Sequence, residues 1–523
     1  MAKKYVMGAD FGTTGVKCVI LDLEGNILGS GSCPTPTTYP RPGYAEIDPD
    51  MVTERTLQAA KIALERSDVD PADIIGISSS SICSSIVPMD ADGKYIYPFI
   101  PWNDTRCYEV FDFMRECMAK EGDSELDDYM YTGYGLQGNC TLPSMIWVQK
   151  NEPKIYARTA KFINAQSVIT RAFTGGNYYD DEPGVTFSKL ADVQTLTYSP
   201  ERAKRYGFDF DKMPEVRKTC EQAGVVGAEA AAKTGLKQGT PVFVGAGDVM
   251  CATVGAGVAE DGVGCVVVGT GGNVNAYSST PKLHPQAKFP VHGSPVGGWH
   301  LMGSCGAAAS SLTYFVDTFC QAEKAYASIA GRSVFEIVTE YAAKSPAGAN
   351  GAVYYPWLIG ADCPKFNANA RGTFSGLSFV HTKADIARAV LEGVAMELRS
   401  MLLACEEALQ NKFYLLRMMG GGAKSDLWAQ IFADVNNIPV EIPACDEAAA
   451  LAAGLYAAVG AGEFENVLEG TKKMVKIAKR FEPNPENVER YQELYQLYEM
   501  TYSALAPEVF EAQAAYQKKY IKG

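Results

Sequence analysis

The sequence predicts an α/β chain folded as two large domains. Three observations carry that expectation. The 523 residues exceed what one hydrophobic core usually supports. A glycine-turned strand pair near the N-terminus reappears near the middle of the chain. Strands are followed by helices in both halves.

The first strand pair lies in "KYVMGADFGTTGVKCVILD". "KYVMGAD" predicts a strand, "FGTTG" a turn and "VKCVILD" a second strand. "LEGNI" turns the chain again into a third strand, "ILGSGSC". Val6, Val16, Cys18 and Ile20 supply the apolar, mostly β-branched character, and glycine stands at the bends. "IDPDMVTERTLQAAKIALER" then predicts a helix with Pro49 at its first position. "DIIGISSSS" predicts a fourth strand. The design returns in "DGVGCVVVGTGGNVNAYSST", residues 261–280, where a strand enters Gly-Thr-Gly-Gly and leaves as another strand. Two such hairpins half a chain apart predict related domains, 1–257 and 258–523, parted in the glycine-rich "GAGVAEDG".

The second half is more helical. "TKADIARAVLEGVAMELRSMLLACEEAL" opens on a Thr382/Asp385 capping pattern, and Ile386, Val390, Val394, Leu398, Met401 and Cys405 make one apolar face. "FYLLRMMGGGAKSDLWAQIFADV" predicts a strand, a glycine-rich loop and a helix. "NVERYQELYQLYEMTYSAL" predicts a terminal amphipathic helix.

Composition excludes several function classes. A formal net charge of -14 repels nucleic acid and anionic membrane, so neither is an expected partner. The longest small-apolar run, "AAALAAGLYAAVGAG", is shorter than the roughly 18 residues a membrane span needs, and no signal peptide is legible. A cytoplasmic chain is expected. Its 14 cysteines stand singly and read as reduced core residues. Four histidines without H-E-x-x-H make a zinc site improbable. The N-x-[ST] matches at Asn103 and Asn139 carry no meaning in such a chain.

A glycine-rich turn lets backbone N–H groups converge on an anion. Thr13 and Thr14 add hydroxyl donors there and Lys17 adds positive charge. Asp10 would repel a bare phosphate but suits a Mg²⁺ ion lying between, because Mg²⁺ takes one or two carboxylates plus phosphate oxygens. Thr270 and Gly271 repeat the turn. A third loop, "GGGAKS", places Gly421, Gly422 and Ala423 before a helix N-terminus, a normal seat for an anion or nucleotide. A Walker loop is absent, because Ala423 precedes Lys424 where glycine is required. "GYGLQG", 133–138, matches a dinucleotide pattern by chance, since no apolar strand precedes it and "NCTLPS" follows where a helix should open.

Taken in order, these loops resemble those of the FGGY carbohydrate kinases. The resemblance runs through "GADFGTTGVKCVILDLEGNIL", "PWNDTR", "GAGDVMCATVGAG", "GTGGNV", "ARGTFSGLS" and "GGGAKSDLWAQIFADVNNIPV". It implies two actin/hexokinase-like (ribonuclease H-like) ATPase domains with a cleft between them, a small-molecule sugar substrate, and ATP with Mg²⁺. It implies Asp248 as the catalytic base, a residue that read alone is equally a helix cap. Asp10 and Asp248 are then the metal-side carboxylates. Thr13, Thr14, Lys17, Thr270, Gly271, Gly421, Gly422 and Ala423 attend the phosphates and nucleotide, with Gly306 beside them. Trp102, Asn103, Asp104 and Arg106 match the sugar-side loop. A homodimer is expected by analogy.

Within the family the motifs are most like those of xylulokinases, with one departure. Such enzymes usually carry Ser-Gly-Gln-Met-His-Gly after the fourth strand. This chain has "SSICSS", with Ile82, Cys83 and Ser84 at the Gln, Met and His positions. A hydroxyl is smaller than an imidazole and cannot carry positive charge, so a roomier, less basic pocket is expected around Cys83 and Ser84. The resemblance therefore implies a kinase of D-xylulose, or of another sugar or polyol: L-xylulose, ribulose, a deoxy-ketose, gluconate, glycerol or erythritol. A non-catalytic sensor on the same scaffold is the alternative outside enzymes.

Overall fold

The computed structural model describes residues 3–138 and 140–521. Asn139, one of the two N-x-[ST] asparagines, lies outside them. The chain divides into two compact units. One takes the chain up to Glu260, with Tyr277–Leu301 and Glu447–Lys476; the other takes Asp261–Ala276, Met302–Asp446 and the chain from Ile477.

The first unit is built on the predicted hairpin. Strands β1 (Tyr5–Gly12), β2 (Gly15–Asp22) and β3 (Ile27–Pro34) run antiparallel, and β4 (Ile74–Ser81) joins β1 in parallel. Strand Pro241–Phe243 continues the sheet parallel to β4, and Gln222–Val225 closes it antiparallel. The helix α1 (Pro49–Glu65) begins at Pro49 as predicted, capped by the Asp48 side chain.

Alternation along β1 assigns each residue a face. Met7, Ala9 and Phe11 join Val52, Leu57 and Ala59 of α1 in one core. Val6, with Val19 and Leu21 of β2, packs in a second core with Ala450, Leu455 and Tyr456. These last belong to the helix Ala448–Gly460, the small-apolar run of the sequence. Full burial of Leu455 alone contributes about 1.5–3 kcal/mol. The second face also carries Gly8 and Asp10, and there the helix comes very close. A Cβ on Gly8 would stand 1.9 Å from the Ala450 carbonyl oxygen and 2.8 Å from the Gly454 amide nitrogen.

The second unit repeats the plan. Val263–Val268 pairs antiparallel with the strand beginning at Gly272 and parallel with Leu415–Met419. Val440–Pro443 follows in parallel and Ile477–Phe481 antiparallel. The capped helix is present as Lys383–Leu409. The single apolar face expected of it is too narrow a description. Arg388, Glu392, Glu397, Arg399 and Ser400 are buried as well, because the helix Pro485–Leu505 lays Tyr491 on Glu392 and Tyr498 on Glu397.

At the start of that helix, the Asp385 carboxylate accepts from Ser345 Oγ at 2.6 Å, Asn350 Nδ2 at 2.9 Å and Thr382 N at 2.7 Å. Burial raises its pKa, but these bonds outweigh burial and hold the carboxyl at about 2. The folded value lies below the unfolded one, so the stabilisation is present above pH ~4 and is lost as pH falls toward 2. Asp385→Ala is expected to cost about 1–3 kcal/mol at pH 7. Urea unfolding should show the gap from the parent narrowing below pH ~4.

Candidate active site

In the first unit, Asp10 lies two residues before the end of β1 and faces Lys17 across the hairpin. Ser80, at the end of the neighbouring β4, donates its hydroxyl to Asp10 Oδ1 at 2.7 Å. Burial raises the Asp10 carboxyl to about 7, and Asp248 and Glu447 add repulsion that Ser80 and Lys17 partly offset. Thr13 and Thr14 are exposed at the hairpin tip.

Asp248 is the first residue of the helix Asp248–Gly255. Its Oδ1 accepts from Val249 N at 2.9 Å and from Cys83 N at 3.2 Å. Burial raises its pKa, and the Cys83 thiol and the two amides moderate the rise. Cys83 packs over the helix start so closely that a Cβ on Gly247 would lie 2.3 Å from its sulfur. Ser84 next to it holds a left-handed backbone with φ 54°. The Ser84 hydroxyl is buried without a hydrogen-bond partner.

The sequence reading missed Glu447. It precedes the helix Ala448–Gly460 and takes the Lys17 ammonium in an ion pair. Nothing in the motifs joins two residues so far apart in the chain. The pairing gives Lys17 a carboxylate partner on its own unit. Asp248 and Glu447 both repel the Asp10 carboxylate, and a divalent cation beside Asp10 would relieve that repulsion. Among the described residues, no group of three or more His, Cys, Asp or Glu side chains could hold a metal unaided.

The "PWNDTR" segment divides in two. Asp104 is buried and accepts from Ala45 N at 2.7 Å and from Arg106 Nε at 2.9 Å. The Arg106 guanidinium also binds Glu46 at 2.8 Å and lies 4.0 Å from the Tyr44 ring centroid. These two side chains fix the loop. Trp102 and Asn103 instead line a groove with Tyr108, Phe111 and Gln137, and Trp102 is 47% exposed.

The second unit gathers the remaining loops. Ala308 N donates to Thr270 O at 3.0 Å and Ala309 N to Gly269 O at 2.8 Å, which docks the 269–271 turn on the helix Ala309–Phe319. A Cβ on Gly271 would lie 2.8 Å from Cys305 O and 3.7 Å from Gly306 O, so Gly306 sits beside that turn. Gly420 has φ 84°, and its missing Cβ would meet Val268 O at 2.7 Å. The short turn Gly421–Lys424 is thereby held against the end of Val263–Val268. Gly422 is buried while Gly421 faces open space. Thr270, Gly271, Gly306, Gly421, Gly422 and Ala423 therefore come together on one unit. The helix Asp426–Asn436 starts just beyond them, capped by Ser425. "GYGLQG" follows the helix Glu125–Thr132 rather than a strand, as expected, but against expectation a helix, Thr141–Asn151, opens just after it, with Thr141–Ser144 of "NCTLPS" forming its first turn.

Residues 5–255 match the N-terminal domain, and residues 264–461 the C-terminal domain, of the FGGY family of carbohydrate kinases. The chain belongs to this family. Xylulose kinase of Bacillus subtilis (strain 168) is 30% identical over 504 residues, 96% of this chain and 97% of that protein. Gluconokinase of Bacillus licheniformis is 26% identical over 94% of each chain. The crystal structure of xylulose kinase from Rhodospirillum rubrum superposes with a TM-score of 0.85 at 26% identity, over 97% of this chain and 100% of that one. As an FGGY kinase the chain is an ATP-dependent sugar phosphotransferase with a two-domain α/β fold of the actin/hexokinase-like class. No helix among the described residues is long and apolar enough to cross a membrane.

Proposed function

We propose that this FGGY kinase phosphorylates a small neutral ketose, D-xylulose foremost, to its 5-phosphate, with Asp248 as general base. The observation that carries the reading is the setting of Asp248. One carboxylate oxygen is fixed by two amides at a helix start, beside the Cys83–Ser84 segment, and burial raises its pKa. A fixed carboxylate of raised pKa is a better base than a solvated one. Asp248 takes the proton from the sugar hydroxyl as that oxygen attacks the γ-phosphorus of ATP. Alignment and charge neutralisation supply the rest of the rate.

Asp10 and Asp248 would hold the Mg²⁺ that accompanies the nucleotide, and that ion neutralises phosphate charge when bound. Thr13, Thr14 and Lys17 would meet phosphate oxygens from the first hairpin, with Lys17 released from Glu447. Thr270, Gly271, Gly306, Gly421, Gly422 and Ala423 would lie along the nucleotide. Trp102 and Asn103 offer the surface of the sugar-side loop, with Asp104 and Arg106 holding its shape.

Cys83 and Ser84, where a xylulokinase carries Met-His, favour a second reading, a kinase of another sugar. The name of the gluconokinase relative gives that reading a further motive. ADP release across ketoses, polyols and sugar acids at fixed MgATP separates the two by kcat/KM. D-Xylulose is expected to rank first. Ser84→His should then raise kcat/KM for D-xylulose by restoring the imidazole. No change, with a different sugar ranking first in the parent, would show the 82–84 segment to be a redesigned specificity element.

A further inference from the structure

Behind the Ile82–Ser84 segment lies a cavity of about 40 Å³, within the first unit. Its walls include Ser84, Asn164, Asp180, Asp181, Tyr198 and Gly247. Gly247 directly precedes Asp248, and Cys83, also on the wall, donates its amide to the Asp248 carboxylate. The cavity thus adjoins the carboxylate assigned as base. Its size suits one or two waters, or a hydroxymethyl group in their place.

The two aspartates differ. Asp180 is fully engaged by Tyr198 OH, Asn164 Nδ2 and the Asp181 amide. Asp181 is 3% exposed. The amides of Gly184 and Gly247 face its carboxylate, yet no donor meets Oδ2 at hydrogen-bonding distance. Ser84 Oγ, on the same wall, also has no partner. A buried carboxylate oxygen without a donor costs more than an ordinary lost hydrogen bond. Burial and the neighbouring Asp180 hold the Asp181 carboxyl well above the usual carboxylate range, and a hydroxyl serves it in either protonation state because it both donates and accepts.

We propose that this cavity is a substrate subsite in which Asp181 Oδ2 accepts a hydrogen bond from the hydroxymethyl end of a neutral ketose, remote from the hydroxyl that is phosphorylated. The proposal rests on the sugar-kinase reading and narrows it. The subsite admits a polyol terminus, whereas a sugar acid would bring a desolvated carboxylate beside two aspartates, so sugar acids are disfavoured as substrates. The short side chains Cys83 and Ser84 leave the cavity open, which gives the departure at 82–84 a function. Asp181 escaped the sequence reading because it lies in no motif.

The test compares D-xylulose with 1-deoxy-D-xylulose, which lacks the remote hydroxyl, in the full-length parent, Asp181→Ala and Asp181→Asn. The parent should favour D-xylulose by roughly 10- to 100-fold in kcat/KM, the range for leaving a buried polar group unsatisfied. That preference should collapse toward unity in Asp181→Ala and be partly kept in Asp181→Asn. A ratio is read within each variant, so partial misfolding does not imitate the effect. D-Gluconate should give little ADP with any of the three. A parent ratio near one, a ratio unchanged in Asp181→Ala, or efficient use of D-gluconate would overturn the subsite while leaving the kinase reading intact. Failure of the parent on every neutral ketose would overturn both.

Discussion

Asp248→Ala is expected to lower kcat by about 10²- to 10⁴-fold, the contribution of a positioned base, with MgATP affinity largely retained. The alanine removes two things at once: the base, and the acceptor for the Val249 and Cys83 amides. Asp248→Asn separates them. An amide oxygen still accepts from both N–H groups but does not take a proton at neutral pH. If Asp248 serves only to cap its helix and tether the 83–84 segment, Asp248→Asn retains near-parental turnover. If it is the base, both variants are equally inactive, Asp248→Asn keeps the parental Tm, and titration with MgATP still saturates. Parental activity in Asp248→Asn would remove the residue from the chemistry.

Gly8→Ala should have the largest effect on folding. One added methyl would lie 1.9 Å from the Ala450 carbonyl oxygen, a backbone atom that cannot turn aside. The helix Ala448–Gly460 must move off the sheet, and overpacking of this kind costs about 1–3 kcal/mol or more. For a unit of this size that lowers Tm by roughly 2–5 °C. The same displacement shifts Glu447 and Asp10, so sugar-dependent ADP release should fall more than the fraction unfolded explains. An unchanged Tm would mean that the helix does not lie on β1 at this distance.

Much of this was legible in the chain. β-Branched, apolar runs broken by glycine turns marked both hairpins and set Asp10 before the first turn and Lys17 after it. Pro49, the Thr382/Asp385 pair and the Gly-Gly-Gly loop marked real helix starts. What escaped depends on groups distant in sequence. Glu447 reaches Lys17 only because the Ala448–Gly460 helix returns to β1. Asp104 and Arg106 stand in a recognisable motif, yet their bonds to Ala45 and Glu46 give them a scaffolding part that no spacing reveals. The buried polar face of Lys383–Leu409 needs Tyr491 and Tyr498, which come from another helix. Asp181 lies in a segment of short strands and a 3₁₀ turn, Asp180–Ser188, with no periodic pattern to single it out.

The proposed chemistry requires a sugar hydroxyl to be the phosphoryl acceptor at Asp248. The most direct measurement is ADP release by the parent protein at saturating MgATP, with and without D-xylulose, run beside Asp248→Asn. Sugar-dependent ADP release is expected in the parent, with a sugar monophosphate formed one for one with ADP, and neither in the variant. ADP release indifferent to the sugar, or sugar-dependent release that survives in Asp248→Asn, would contradict that chemistry.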